Sequence, residues 1–267
     1  MKYLALASAA LAAMMAGPAM AADMPVRAPA PVVAYYDWSG AYAGFNIGAA
    51  WYDVTHHFTT PGAITPDVTT SDRDGIFGFH AGAQWQWGAW VLGVEAALTG
   101  CFQECRSTSG VLPVALGFEP NIFGEHKITN LFTAGPRVGY AWDRVMIFAT
   151  GGWASANLKN AHCSSITGLC DGPGSAGNGA SRNNNGWYAG GGFDYMVHKG
   201  SLVDVLLGVE YQHFEVSEQA AFCVNPGCLP LSVRDFALSA RGDLVRARLT
   251  IKTQGYGFFW GAARAGN

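Results

Sequence analysis

The stretch Asp74–Gly100, DGIFGFHAGAQWQWGAWVLGVEAALTG, limits the possible folds more than any other part of the chain. From Phe77 every second residue is apolar: Phe77, Phe79, Ala81, Ala83, Trp85 and Trp87. Between them lie Gly78, His80, Gly82, Gln84 and Gln86. Successive side chains of a strand point to opposite faces, so the segment has one greasy face and one small or polar face. Gly88-Ala89 interrupts the series, and Trp90, Leu92, Val94, Ala96 and Leu98 resume it opposite Gly93, Glu95, Ala97 and Thr99. The spacing predicts a hairpin with Trp85, Trp87 and Trp90 crowded at its tight end. In a soluble sandwich the greasy face turns inward. In a membrane barrel it meets lipid, the polar face fills the lumen, and aromatic residues mark the boundary as an interfacial girdle. The barrel is the better reading because the rest of the chain repeats the pattern.

The chain opens with Lys2 and an apolar run from Tyr3 to Met15, then Gly17-Pro18 and Ala19-Met20-Ala21. This predicts a secretory signal peptide over 1–21; the run is shorter than the ~20 residues of a spanning helix. Beyond it no stretch is long and apolar enough for a membrane helix. Half the chain is hydrophobic, only 13% is charged, and there are 35 glycines. A soluble domain carries about a quarter charged residues. Only helices and closed barrels satisfy every backbone group in lipid, so this composition suits a barrel. The net charge of −3 and the lack of any Lys/Arg cluster argue against nucleic acid as a partner.

Residues 22–36, rich in Ala and Pro, read as an extended periplasmic leader. Eight strands are predicted in residues 37–260: Trp38–Tyr52, the hairpin within Gly75–Gly100, His126–Trp142, Val145–Asn157, Gly186–Val197, Leu202–Phe214, and a last strand from Asp243. The facing of Val145–Asn157 is ambiguous, since both registers of VMIFATGGW are apolar. Long loops are expected at Asp53–Arg73, Cys101–Glu125, Leu158–Asn185 and Glu215–Gly242, with short turns between the other strands. The fold class is therefore all-β: a transmembrane antiparallel up-and-down barrel with four long outer loops. A hairpin hidden in Val111–Gly124 would raise the count to ten strands. Residues 261–267 form a C-terminal tail.

A charge facing lipid at mid-bilayer costs roughly 2–4 kcal/mol for Arg or Lys. Register therefore assigns Glu95, Arg137, Asp194, Asp204, Glu210, Arg246, Arg248 and Lys252 to the lumen. An eight-stranded lumen is only wide enough for its own side chains, so a salt-bridged plug is expected, with an ion path as the alternative. Six cysteines fall in three close pairs, Cys101/Cys105, Cys163/Cys170 and Cys223/Cys228, each within one predicted outer loop. In an oxidising periplasm these are candidate disulfides. Metal ligation with His162 is the alternative, but the pairs lie on separate loops rather than in one knuckle. His56-His57 reads as a solvated loop pair and His80 as a luminal hydrogen-bonding residue. No phosphate loop or nucleophile elbow is present, and no motif calls for a cofactor.

WSGAYAGFNIG (38–48), GPRVGYAWDRVMIFATGGWA (135–154) and GWYAGGGFDYM (186–196) resemble the alphaproteobacterial porin-family surface antigens, the proteins with an outer-membrane protein β-barrel domain. The resemblance implies an eight-stranded barrel akin to the membrane domain of OmpA, in the cell outer membrane, with an envelope-structural and surface (antigen- or adhesion-type) role. It implies as partners the outer-membrane lipid, the barrel-assembly machinery, and a host or surface ligand met through the loops. Family members end on an aromatic that the assembly machinery reads; here Phe258, Phe259 or Trp260 would serve, with Gly261–Asn267 running past it. A small diffusion channel is the alternative function, and a lipid-modifying enzyme a more distant one.

Overall fold

A computed structural model describes residues 36–58, 67–111, 121–167, 180–217 and 236–254. Among them are nine strands: β1 Gly40–Phe58, β2 Val68–Trp87, β3 Trp90–Cys101, β4 Arg106–Val111, β5 Ile122–Trp142, β6 Val145–Ser164, β7 Ala180–Lys199, β8 Val203–Val216 and β9 Phe236–Thr253. Neighbours run β3-β2-β1-β9-β8-β7-β6-β5, and β3 pairs with β5 to close the ring. All these pairings are antiparallel. After a turn at Phe102–Cys105, β4 continues the line of β3 and pairs with the far end of β5. The ring thus has eight positions, one of them shared by β3 and β4. Of the segment Val111–Gly124, considered above as an extra hairpin, the described residues hold the end of β4 and the start of β5 and add no position.

Tight connections at Gly88-Ala89, Asp143-Arg144 and Gly200–Leu202 gather at one end of the barrel. Gly88 there has φ +61°, a left-handed conformation that glycine adopts without strain. The alternation places Phe45, Ile47, Phe79, Leu92, Val138, Phe193, Leu207 and Leu249 on the outer wall, exposed. It also settles the strand whose facing was ambiguous: Met146, Phe148 and Thr150 face in, while Ile147 and Ala149 face out.

Two aromatic belts bound this greasy wall. Near the tight turns stand Trp85, Trp87, Trp90 and Trp142, all exposed, with Tyr140 stacked edge-on against Trp90 at 5.2 Å. Toward the other end stand Trp51, Trp153, Trp187 and Tyr211, with Phe132 against Trp153 and Phe77 against Phe102. Phe77 to Trp85 on β2, or Trp187 to Tyr195 on β7, spans about 20 Å along the axis at ~3.3 Å per residue and ~40° tilt. That is close to the ~25 Å apolar band of an outer-membrane barrel.

Beyond the second belt the alternation continues but its chemistry inverts. Outward positions become Asp53 and Thr55 on β1, Ser155 and Asn157 on β6, Asn183 and Asn185 on β7, and Ser239 and Arg241 on β9. Inward positions become Tyr52, Val54, Ala154, Ala156, Leu158, Val216, Leu238 and Ala240, which pack as one buried apolar cluster. Here the barrel is built like a soluble one, mostly apolar inside, with Thr70, Ser107, His126 and Asn184 also buried, and water outside. This corrects the predicted loops: much of Asp53–Arg73, Cys101–Glu125, Leu158–Asn185 and Glu215–Gly242 is strand. On β1, β6, β8 and β9 those residues keep the period of two with the opposite face apolar, so a search for greasy-out strands passes over them; on β2 that face carries Thr70 and Asp72.

Two further boundaries move. The first strand begins at Gly40, not Trp38, and Trp38 lies inside the barrel mouth, fully buried. Tyr36, assigned above to the leader, is buried beside it, with the two rings edge-to-face at 5.0 Å. The last described strand ends at Thr253; Phe258, Phe259, Trp260 and the tail fall outside the described residues, as does the signal segment.

The inversion makes a test. Ala156→Asn puts an amide into the apolar layer and is expected to cost about 1–3 kcal/mol, seen as a lower urea midpoint of the refolded barrel. Ser155→Asn, one residue away and outward, should cost less than about 0.5 kcal/mol.

Candidate functional site

The lumen between the belts is filled by a charge cluster to which every position of the ring contributes. Arg248 on β9 is the hub. It donates Nη1 to Glu95 Oε1 at 2.9 Å and Nη2 to Glu95 Oε2 at 2.6 Å, on β3. Its Nη1 also donates to Glu210 on β8. Arg246, two residues earlier on the same face, grips Glu210 with Nε at 3.2 Å and Nη2 at 3.1 Å, and gives Nη1 to Thr99 at 3.1 Å. Arg137 on β5 pairs with Asp194 on β7 and reaches Glu95 at 3.5 Å and Gln84 at 3.4 Å. Its guanidinium lies 3.7 Å from the ring centroid of Phe148 on β6, a cation–π contact in a desolvated site. From β1, Tyr42 donates its hydroxyl to Glu95 at 2.8 Å. His80 Nε2 shares a 2.8 Å hydrogen bond with Thr250. Glu95, Arg137, Asp194, Glu210, Arg246 and Arg248, all assigned to the lumen from register, are thus brought into one network of buried side chains.

Glycines on the inward face make room for it. At Gly208 an added Cβ would lie 2.0 Å from Asp194 Oδ1, and at Gly82 2.5 Å from the Tyr42 hydroxyl. Larger residues at either place would push those side chains off their partners.

A second pair lies nearer the tight turns. Lys252 Nζ stands 3.5 Å from Asp204 Oδ2, which also accepts the Tyr36 hydroxyl at 2.7 Å. Trp38 is pinned from three sides: its N–H donates to Gln86 Oε1 at 2.7 Å, its Nε1 to the Asp143 carbonyl at 3.0 Å, and its carbonyl accepts from Gln84 Nε2 at 2.8 Å. With Val91, Met146, Phe148, Met196 and Leu206 these two aromatic residues form an apolar plug. The lumen is therefore layered: aromatic plug, charge cluster, and the apolar layer beyond the second belt. The salt-bridged layer is thus flanked on both sides by buried apolar residues, which the expected salt-bridged plug did not include. Between the belts the buried inward carboxylates Glu95, Asp194, Asp204 and Glu210 face Arg137, Arg246, Arg248 and Lys252. Four negative and four positive charges balance, so the cluster needs no mobile ion for neutrality.

Of the candidate disulfides, Cys101–Cys105 is formed, closing the turn between β3 and β4. Cys163 is disulfide-bonded as well, while Cys170, Cys223 and Cys228 fall outside the described residues. Asp74 organises the first of these turns; its Oδ2 accepts from the N–H groups of Gln103 at 2.9 Å and Cys105 at 3.0 Å. Across it, Lys127 Nζ stands 2.9 Å from Glu104 Oε2. That hydrogen bond from Lys127, with a second from Arg106, holds the Glu104 carboxyl below its usual range. Asp74, Cys101 and Cys105 do come within metal-ligating distance of one another, but a disulfide leaves no thiolate to bind an ion.

A closed antiparallel barrel, banded by two aromatic belts and, between them, charged only on the inside, defines an outer-membrane β-barrel protein. The chain belongs to the outer membrane protein beta-barrel domain family, whose match covers residues 8–239. It is 36% identical over 176 residues, 60% of this chain and 68% of the relative, to the 31 kDa outer-membrane immunogenic protein of Brucella melitensis biotype 1. Among solved structures it is similar to the attachment invasion locus protein Ail of Yersinia pestis, at 13% identity and a TM-score of 0.35 over 79% of this chain and 99% of that one. It is also similar to OprG of Pseudomonas aeruginosa, at 11% identity and a TM-score of 0.42 over 81% and 97%. The protein is thus located in the outer membrane, with the long connections outside and the tight turns in the periplasm.

Glu210→Gln would leave Arg246 and Arg248 short of a carboxylate in a buried site. The expected cost is roughly 3–5 kcal/mol, read as a lower temperature for loss of the fast-migrating folded form on a denaturing gel. Asp53→Asn, which breaks an exposed pair with Arg241, should shift it by less than about 1 kcal/mol. Cys101→Ser should cost roughly 2 kcal/mol on the chain-entropy estimate for so short a loop.

Proposed function

We propose that this protein is a non-enzymatic, non-conducting outer-membrane anchor whose working surface is the part of the barrel that rises above the membrane, together with the four loops it carries. The observation that supports this most is the filling of the lumen. Paired arginines and carboxylates from β3, β5, β7, β8 and β9 occupy it between the belts, and apolar layers lie on either side. An ion path needs a continuous wetted route and exchangeable charge; a buried cluster of paired, balanced arginines and carboxylates provides neither. A second support is the length of the strands. At 19 to 21 residues, β1, β2, β5, β6 and β7 are about twice the ~9–11 residues that cross the apolar band. The fold commits as much strand to the cell exterior as to the lipid, which suits a rigid display platform of antigen or adhesion type. The immunogenic name of the Brucella relative accords with this role. The partners that go with the reading are outer-membrane lipid, the barrel-assembly machinery and a host or surface ligand met by the loops.

In planar bilayers the folded protein is expected to give no steady ohmic steps. Steps whose size changes in Glu210→Gln would contradict the reading in favour of a channel. Antibody raised against residues 171–179 should label intact cells without permeabilisation, and the acylation profile of the surface glycolipid should be unchanged on overexpression. An altered profile would point to a lipid-modifying enzyme.

A further inference from the structure

The outer wall just above the second aromatic belt is not uniform. On β6 and β7 its outward positions are Ser155, Asn157, Asn183 and Asn185, all uncharged. On the opposite side, four adjacent strands place two outward rows of charged and hydrogen-bonding residues around one groove of about 700 Å³. The row level with the belt runs Arg73, Trp51, Asp243, His213 across β2, β1, β9 and β8. The row above it runs Ser71, Asp53, Arg241, Glu215.

We propose that this groove binds the phosphorylated sugar headgroup of an outer-leaflet glycolipid. Height is the first argument. Trp51 belongs to the belt that marks the acyl boundary, so the groove begins where acyl chains end and headgroups start. Chemistry is the second. The Arg73 guanidinium has no hydrogen bond or ion pair with any described residue, and Arg241, largely exposed, has only Asp53 at 3.2 Å. An arginine at this depth without a carboxylate of its own suits a phosphate, which it can grip with two parallel hydrogen bonds. The floor is the third. Trp51 is half-exposed, a flat platform for a pyranose ring, and Ser71 and Glu215 offer hydroxyl and carboxylate oxygens to sugar hydroxyls. The groove's other carboxylates are engaged by neighbours: Asp243 accepts from Tyr211 at 2.6 Å and His213 at 2.9 Å, and Asp72, which also lines the groove, accepts from the Arg73 backbone N–H at 2.7 Å. The inference rests on the membrane-barrel reading, because it takes its height from the belts.

The test uses the full chain folded in detergent micelles and titrated with lipid A, its dephosphorylated form and phosphatidylglycerol, with bound lipid counted by native mass spectrometry. Wild type is expected to retain lipid A about tenfold better than either competitor, the scale of one charge-assisted phosphate contact. Combined Arg73→Gln and Arg241→Gln should remove that preference, and the two lysine substitutions should keep part of it. Equal retention of all three lipids by wild type would overturn the proposal, as would an undiminished preference in the glutamine variant. Glucosamine phosphate without acyl chains binding as well as lipid A would overturn the lipid assignment. Heat-modifiable migration is followed in parallel: its persistence in every variant confines a failure to the headgroup site, whereas its absence in wild type would overturn the barrel reading and this inference with it.

Discussion

In hydrocarbon a strand has no water to satisfy its N–H and C=O groups, so every edge must find a partner. The pairing of β3 with β5, from Trp90↔Tyr140 to Thr99↔Leu131, meets that requirement by closing the sheet on itself. Once the ring is closed, each residue has only two places to go, and period two fixes which. Parity then does what motif and propensity do elsewhere. Glu95, Arg137, Asp194, Glu210, Arg246 and Arg248 could not face lipid without large cost, and the ring turns them toward one another. They converge although Glu95 and Arg248 are 153 residues apart in sequence.

Along β1, β6, β8 and β9 the same parity runs on through two solvents, while β5 resets it at a bulge between Ile128 and Asn130. Between the belts the wall meets acyl chains and the interior carries charge. Above the outer belt the wall meets water, and the interior fills with Val54, Ala156, Leu158, Val216 and Leu238. The crossover falls at Trp51 on β1 and Trp153 on β6, each followed two residues on by a polar outward residue, Asp53 and Ser155. The protein thus joins a membrane barrel to a soluble one on common strands. The buried apolar layer gives the exterior half a core of its own, and the Cys101–Cys105 bridge with its Asp74 cap secures the turn where β3 gives way to β4.

The membrane half was legible in the sequence because lipid enforces a strict alternation. The hairpin at Gly75–Gly100, the outward series on each strand and the inward ionisable residues follow from period two alone. The exterior half was hidden by its inversion. Asp53–Arg73 looks polar and loop-like until Tyr52 and Val54 are seen to continue the inward parity of Tyr42 and Asn46. A scan for alternation of either sign would have found it. Tyr36, assigned to the leader, and Trp38, assigned to the first strand, are misplaced for a different reason: nothing local says that the chain there folds back into the barrel mouth to meet Asp204 and Asp143. Which arginine takes which carboxylate was also beyond reach, since the stagger of the ring and not the spacing along the chain sets those pairs.

The central claim is that on β1, β6, β8 and β9 the inward–outward alternation continues past the outer belt while its chemistry reverses there. Single cysteines along β6 test it most directly, probed on intact cells with a membrane-impermeant maleimide. Ser155→Cys and Asn157→Cys are predicted to label, while Ala154→Cys and Ala156→Cys, inside the apolar layer, and Ile147→Cys and Ala149→Cys, facing lipid, stay unlabelled. Labelling at Ala154 and Ala156 as strong as at their neighbours would mean an open loop in place of a closed barrel and would contradict the account.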